Sequence, residues 1–183
     1  MFHDSFGSCH SSSVAVMEVV VDYEYLTGTQ HEIVIKKLSV AAEIVLETFH
    51  FQNPYAMRPH GDKENGLNWD DEHIPYHKLS TVLSEAVTGF EHLYGYGESR
   101  CNLLAKLFGR PVDNLEDLNC PKPRHFIHKY GCTKQCNRNP SFRCATRNAH
   151  SLYDWLMYHF QKMSCVTCPE DMNRHTTRCV SAV

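Results

Sequence analysis

An apolar run at residues 14–21 (VAVMEVVV), interrupted only by Glu18, places the strongest constraint on the fold. Such a β-branched run is typical of a central strand buried within a sheet. No run in the sequence approaches the roughly 18 to 20 apolar residues that a membrane-spanning helix needs. The sequence therefore predicts a sheet-containing domain and excludes a membrane-spanning role.

The rest of the pattern predicts a mixed α/β fold. After a turn containing Gly28, residues 32–38 predict a second strand that forms a hairpin with the first. Residues 42–51 alternate as a third strand, with a short helix as the competing interpretation, and residues 53–71 have the composition of a loop. The later predicted elements are a helix at 79–90, a strand within 90–97, a helix at 98–108, a short strand at 112–118 and a helix at 145–163. We therefore expect an antiparallel hairpin joined to a parallel half, with flanking helices.

Composition is that of a single globular domain. The chain has 183 residues, of which 42% are hydrophobic, and a formal net charge of -3. This charge excludes a polybasic protein held to phosphate mainly by net charge. We expect a flexible N-terminus at 1–13, a folded domain at 14–163 and a Cys- and His-rich tail at 164–183. Because residues 1–13 lack a basic segment followed by an apolar one, we expect an intracellular protein, in the cytoplasm or nucleus.

Two acids follow the apolar run, at Asp22 and Glu24. Residues two apart on a strand point to the same side, so both carboxylates can face one site. Such a pair can share divalent cations that activate water for phosphodiester cleavage. The alternative is that both acids are ordinary charges at the end of a strand.

Cysteine and histidine are concentrated late in the chain, where seven of the nine cysteines lie at or after position 120. The spacing Cys132-x3-Cys136-x7-Cys144 has Cys120, His125 and His128 upstream. Zinc takes four thiolate or imidazole ligands, and a loop poor in apolar residues gains much of its order from the metal. The pattern therefore predicts a structural zinc in a loop at 120–144, with buried or free thiols as the alternative.

A second group of possible zinc ligands lies in the tail, with the spacing Cys165-x2-Cys168-x6-His175-x3-Cys179. This order is typical of a zinc knuckle, a small module that can touch single-stranded nucleic acid. A flexible tail with incidental thiols is the alternative.

The order of elements around Asp22-x-Glu24 resembles the DnaQ-like (DEDD) exonuclease branch of the ribonuclease H fold. The resemblance covers roughly residues 14–163, and Asp22 and Glu24 match the first motif. The second motif of that family has an Asp at the start of the helix after the glycine turn. Here Arg100 or Cys101 stands near that position, and Glu98 is a candidate to replace the Asp. The third motif is approximated by His150 and Asp154, and an alternative register puts Asn148 at the acid position. The resemblance implies an incomplete carboxylate cluster, and Mg²⁺ or Mn²⁺ as cofactors only if the chain is catalytically active.

A degenerate core of this kind, with a zinc site before the last helix, is similar to the Maelstrom domain of the animal small-RNA silencing pathway. That resemblance implies Cys132, Cys136 in place of a histidine, and Cys144 as zinc ligands, with Cys120 or His128 as the fourth. It also implies a role in RNA silencing.

A local basic cluster is a candidate surface for nucleic acid, despite the net negative charge of the chain. Its members are Lys122, Arg124, His125, Lys129, Lys134, Arg138, Arg143 and Arg147. Such a cluster can follow a phosphate backbone, although solvated loop charges are the alternative.

Three functions remain open from the sequence. The first is a zinc-stabilised domain with an incomplete catalytic site that binds RNA or single-stranded nucleic acid. The second is an active 3'-5' exonuclease that uses Asp22, Glu24, Glu98 and Asp154 for two metals and His150 as general base. The third is a zinc-dependent protein-interaction module.

Overall fold

The protein is an α/β domain built on a five-stranded mixed sheet with flanking helices. The computed structural model describes residues 17–28, 30–55, 73–126 and 144–166, and at residues 164–166 it describes the backbone but not the side chains. The strands lie in the order β3-β2-β1-β4-β5, where β1, β2 and β3 are antiparallel and β4 and β5 run parallel to β1. This arrangement is compatible with a ribonuclease H-like sheet.

The helices and strands follow one another as the sequence predicts, with some changed boundaries. The strands are β1 (Glu18–Thr27), β2 (Ile33–Ala41), β3 (Leu46–His50), β4 (His92–Gly95) and β5 (Asp113–Asn114). The helices are α1 (Leu79–Ala86), α2 (Glu98–Phe108) and α3 (Ala145–Val166), with 3₁₀ turns at Tyr76–Lys78, Leu115–Leu118 and Pro123–His125.

The central strand extends further than the sequence predicts. Asp22 and Glu24 do not end β1 but lie within it, because pairing with β2 continues to Thr27. The burial of Leu26, which is 5% exposed, explains the extension. The pairing shifts beyond Glu24 so that Lys36 is an extra residue in β2, which makes a β-bulge.

Alternate residues of β1 divide the core into two layers. Val19 and Val21 pack in one cluster with residues of α1 and α2, and Val20 packs in the other with residues of α3. Because successive strand residues point to opposite faces, α1 and α2 cover one side of the sheet and α3 covers the other. The sheet is therefore buried on both faces at β1, as the apolar run predicts.

Other predicted elements differ in detail. The region 42–51 forms strand β3 rather than a short helix, and α1 ends well before Phe90. The prediction of a strand at 112–118 is wrong beyond β5: Leu115–Leu118 is a 3₁₀ turn, because the Asn114 side chain accepts a hydrogen bond from the Glu116 backbone.

Several other predictions fall on parts of the chain outside the described residues. These are most of the loop at 53–71, most of the zinc loop at 120–144, the N-terminus at 1–13 and the tail beyond 166. None of the described helices combines the length and the apolar character that crossing a bilayer requires.

Candidate functional site

The site lies where two parallel strands separate. Val20 pairs with Tyr94 of β4, and Asp22 comes two residues later in β1, past the last described pair between these strands. The carboxyl ends of neighbouring parallel strands form a crevice in which α/β proteins bind ligands. Asp22 is 4% exposed at the base of this crevice.

A glycine turn between β4 and α2 positions Arg100, the second residue of the site. Gly97 has φ of +92°, which favours glycine, and its carbonyl accepts hydrogen bonds of 3.0 Å from the backbone amides of Arg100 and Cys101. The Gly97 amide donates to Oδ1 of Asn114 at 2.9 Å. These bonds fix the first turn of α2, so that Arg100 reaches towards β1.

Arg100 is the direct partner of Asp22. Its Nη2 atom donates to Oδ1 of Asp22 and to the backbone carbonyl of Tyr23. The guanidinium also lies over the Tyr23 ring, 4.1 Å from its centroid, in a cation–π arrangement. Burial lowers the pKa of Arg100, but the carboxylate of Asp22 and the Tyr23 hydroxyl outweigh this, so the net shift is upward. The cation is therefore held in one place by three contacts.

The third residue of the site is Asn148, from α3. Asn148 lies in the first turns of α3 and donates from Nδ2 to Oδ2 of Asp22 at 2.8 Å. Both oxygens of Asp22 thus accept hydrogen bonds from side chains, one from Arg100 and one from Asn148.

Glu24 has a different role from Asp22. Its Oε1 atom lies 3.1 Å from Nζ of Lys37 and accepts a 2.9 Å hydrogen bond from the backbone amide of Ala145. Lys37 Nζ also lies 3.7 Å from Sγ of Cys144. Because Ala145 is the first residue of α3, Glu24 places a negative charge at the positive end of that helix. Glu24 therefore joins α3 to the sheet.

A pocket of about 260 Å³ opens above Asp22. The residues that line it are Asp22, Tyr96, Arg100, Lys122, Pro123, Arg124 and Asn148. Burial and the Glu116 carboxylate, to which its hydroxyl is hydrogen-bonded, raise the pKa of Tyr96 to about 12, so its phenol is neutral at physiological pH. Because Arg100 neutralises the negative charge of Asp22, the remaining charged side chains in the lining are the cations Lys122 and Arg124.

The other predicted catalytic residues are Glu98, His150 and Asp154. Glu98 is exposed at the start of α2, and no hydrogen bond or ion pair joins it to Asp22 among the described residues. His150 and Asp154 pair with each other one turn apart on α3, with 3.4 Å between Nδ1 and Oδ2. The structure thus brings Asp22 together with Arg100 and Asn148, two residues that the sequence placed at the second and third motifs.

In the part of the chain that the structure describes, no three His, Cys, Asp or Glu side chains are grouped closely enough to hold a metal ion. Asp22 instead has a guanidinium on one oxygen and an amide on the other. These contacts connect β1 to α2 and α3.

Two of the predicted zinc ligands can be placed. Cys120 is buried with Leu115, Leu152 and Leu156, and burial together with Glu116 raises its pKa to about 12. Cys144 is buried at the start of α3. The other proposed ligands have no described side chain, so they stay predictions: His128, Cys132, Cys136, Cys165, Cys168, His175 and Cys179.

No protein-family model matches the chain, and no curated protein matches its sequence.

Sequence reasoning missed the role of Lys37. Lys37 lies in β2, a strand that is otherwise mostly apolar, and it is 5% exposed. A buried lysine needs an acidic or hydrogen-bonding partner. The pair Lys36-Lys37 inside an apolar strand was the available signal. Nothing local identifies Glu24 as the partner, because the pairing depends on strand register.

Proposed function

We propose that this protein is a zinc-stabilised, DnaQ-like domain with an incomplete catalytic site that binds RNA or another single-stranded nucleic acid without hydrolysing it. The observation that carries the proposal is the ion pair of Arg100 with Asp22 at the base of a cationic pocket.

The ion pair argues against the chemistry of a metal-dependent nuclease. A divalent cation bound to Asp22 would have to share the carboxylate with a guanidinium, and the two positive charges repel each other. Arg100 is held by the Tyr23 carbonyl and ring as well as by Asp22. Moving it would cost all three contacts, so the resting structure favours binding over cleavage.

The same pocket is suited to a phosphate group. Arg100 offsets Asp22, which leaves Lys122 and Arg124 as an excess of positive charge. Arginine binds phosphate oxygens through paired N–H donors, and aromatic rings stack on unpaired bases. Tyr96, which is neutral, supplies a ring beside these cations.

The sheet order supports the DnaQ-like part of the proposal. An antiparallel β1-β2-β3 half joined to a parallel β1-β4-β5 half is compatible with the ribonuclease H-like arrangement. Zinc would brace the loop before α3 through Cys132, Cys136 and Cys144, with Cys120 or His128 as the fourth ligand. When bound, the metal would supply folding energy rather than chemistry.

The decisive test is the salt-dependent binding of labelled single-stranded RNA, measured by fluorescence anisotropy. We expect wild-type binding to weaken as the salt concentration rises. In the double variant Lys122→Gln/Arg124→Gln, the slope of log K against log salt concentration should be smaller by about 2, and the affinity should fall by about tenfold or more. Lys106→Gln, which removes an exposed cation outside the pocket lining, is the matched control and should bind as wild type.

Two results would overturn the proposal. Absence of binding to any single strand would favour a protein-interaction module. Trimming of the strand with Mg²⁺ or Mn²⁺, abolished by Asp22→Ala, would favour an active exonuclease.

A further inference from the structure

We propose that the pocket recognises a phosphomonoester dianion, carried by the end of a single strand or by a free nucleotide, rather than the internal phosphodiesters of a continuous strand. This inference rests on the binding pocket of the proposed function and specifies its ligand.

The volume of the pocket supports recognition of one unit. At about 260 Å³ it lies just below the range of roughly 300 to 1,000 Å³ that is typical of small-molecule sites. Proteins that hold a continuous strand use grooves for about 4 to 16 nucleotides per module. A pocket of this volume suits one nucleotide, and its lining includes the buried residues Asp22 and Asn148.

The charges of the lining favour a dianion. Arg100 offsets the charge of Asp22, so Lys122 and Arg124 give the lining side chains a net charge of about +2, with one carboxylate, that of Glu116, hydrogen-bonded to Tyr96 just outside the lining. An internal phosphodiester carries one negative charge, whereas a phosphomonoester carries about -1.5 to -2 at pH 7. The extra charge and the extra acceptor oxygen of the monoester match the two cations.

Arg100 can add donors to the same phosphate. Within the described residues, its hydrogen bonds to Asp22 and Tyr23 both leave from Nη2. The guanidinium has five N–H donors in a fixed plane, so those on Nε and Nη1 are not used by these two bonds. Its side chain is 33% exposed, and the contact with the Tyr23 ring holds its orientation before a ligand arrives. A donor fixed in advance loses little freedom on binding.

The test compares single-stranded RNAs of one sequence, about 12 nucleotides long, that differ only at their ends. One has a 5'-phosphate, one has a 3'-phosphate, one has hydroxyls at both ends, and one is circular. We expect one phosphorylated form to bind about tenfold or more tightly than the unmodified and circular forms, because its terminal phosphate carries more negative charge and accepts further charge-assisted hydrogen bonds. Arg124→Gln should remove this preference, whereas Lys106→Gln should keep it.

The outcomes separate the two proposals. Equal affinities for all four RNAs would overturn the terminal phosphate while leaving strand binding intact. If no strand binds, the proposed function fails, and calorimetric titration with a nucleoside monophosphate and with the matching nucleoside decides the inference. Binding of the monophosphate alone supports it, and binding of neither compound, or of both equally, overturns it.

Discussion

Asn148 donates a 2.8 Å hydrogen bond from Nδ2 to Oδ2 of Asp22, and so joins α3 to the central strand of the sheet. Asp22 also accepts a hydrogen bond from the Arg100 guanidinium of α2, and it is 4% exposed. The carboxylate therefore connects β1 to both α2 and α3.

The first prediction concerns the free energy of unfolding after Asp22→Ala. Removing one partner of a buried ion pair leaves the other charge uncompensated, which typically costs 3 to 5 kcal/mol. Because the Arg100 side chain is 33% exposed, water compensates part of this loss, and we expect a destabilisation of about 2 to 3 kcal/mol by urea denaturation.

Asp113→Ala is the matched control for this change. The Asp113 side chain is 59% exposed, so its loss should alter stability by less than about 0.5 kcal/mol. A carboxylate kept for catalysis is often unfavourable for stability. An Asp22→Ala protein as stable as wild type would therefore contradict the structural role.

The second prediction concerns the pair of Glu24 and Lys37, whose side chains are 12% and 6% exposed. Glu24→Ala removes both a carboxylate partner of Lys37 and the acceptor for the Ala145 amide. We expect a destabilisation of about 2 to 4 kcal/mol, and faster amide hydrogen exchange in the first turn of α3.

A double-mutant cycle with Lys37→Ala isolates the pair. We expect a coupling energy of about 1 to 3 kcal/mol, because each single change disturbs the same contact. Glu24→Gln keeps an acceptor for Ala145 and should leave hydrogen exchange in α3 closer to wild type. Additive effects of the two single changes would show that the residues act independently.

The third prediction is a loss of stability at alkaline pH caused by Cys101. Burial, the largest cause, raises the pKa of this thiol from 9.0 to about 11. As pH rises past 9 the unfolded chain loses the thiol proton before the folded protein does, so the unfolded state binds fewer protons and stability falls. The contribution of Cys101 to the free energy of unfolding is fully present below pH 9 and is lost as the pH rises towards 11. Over that range the free energy of unfolding falls by on the order of 1 kcal/mol per pH unit.

Cys101→Ala tests the source of this slope. Denaturant midpoints of both proteins between pH 8 and pH 11 should show a shallower decline for the variant. Tyrosines titrate in the same proteins, so the difference between the two curves reports Cys101. Parallel curves would assign the decline to other groups.

The fourth prediction concerns zinc. Protein purified under reducing conditions should contain about one equivalent for the loop at 120–144, and Cys132→Ser or Cys144→Ser should lose it with a destabilisation of several kcal/mol. Cys101→Ser, which lies outside the proposed ligand set, should keep the metal. Less than about half an equivalent in the wild type, or unchanged melting of both ligand variants, would refute the site.

The sequence alone was sufficient for the class of fold and the order of most elements. Apolar runs and helical spacing are local patterns, so β1, α1, α2 and α3 can be predicted from a few neighbouring residues. Where a particular hydrogen-bonding contact, rather than the apolar pattern, decides a boundary, the prediction was less accurate. The end of β1 depends on pairing with β2, and the turn at Leu115–Leu118 depends on the Asn114 side chain.

The sequence by itself determined that a buried central strand leads into an acidic pair, Asp22 and Glu24, although it predicted that the strand ends there. Only the tertiary structure decided that Asp22 pairs with Arg100 and Asn148, and that Glu24 pairs with Lys37 instead. The physical reason is that a buried charge takes whichever opposite charge or donor the packing brings within reach. That choice depends on strand register and helix placement, which residues far apart in the chain determine together.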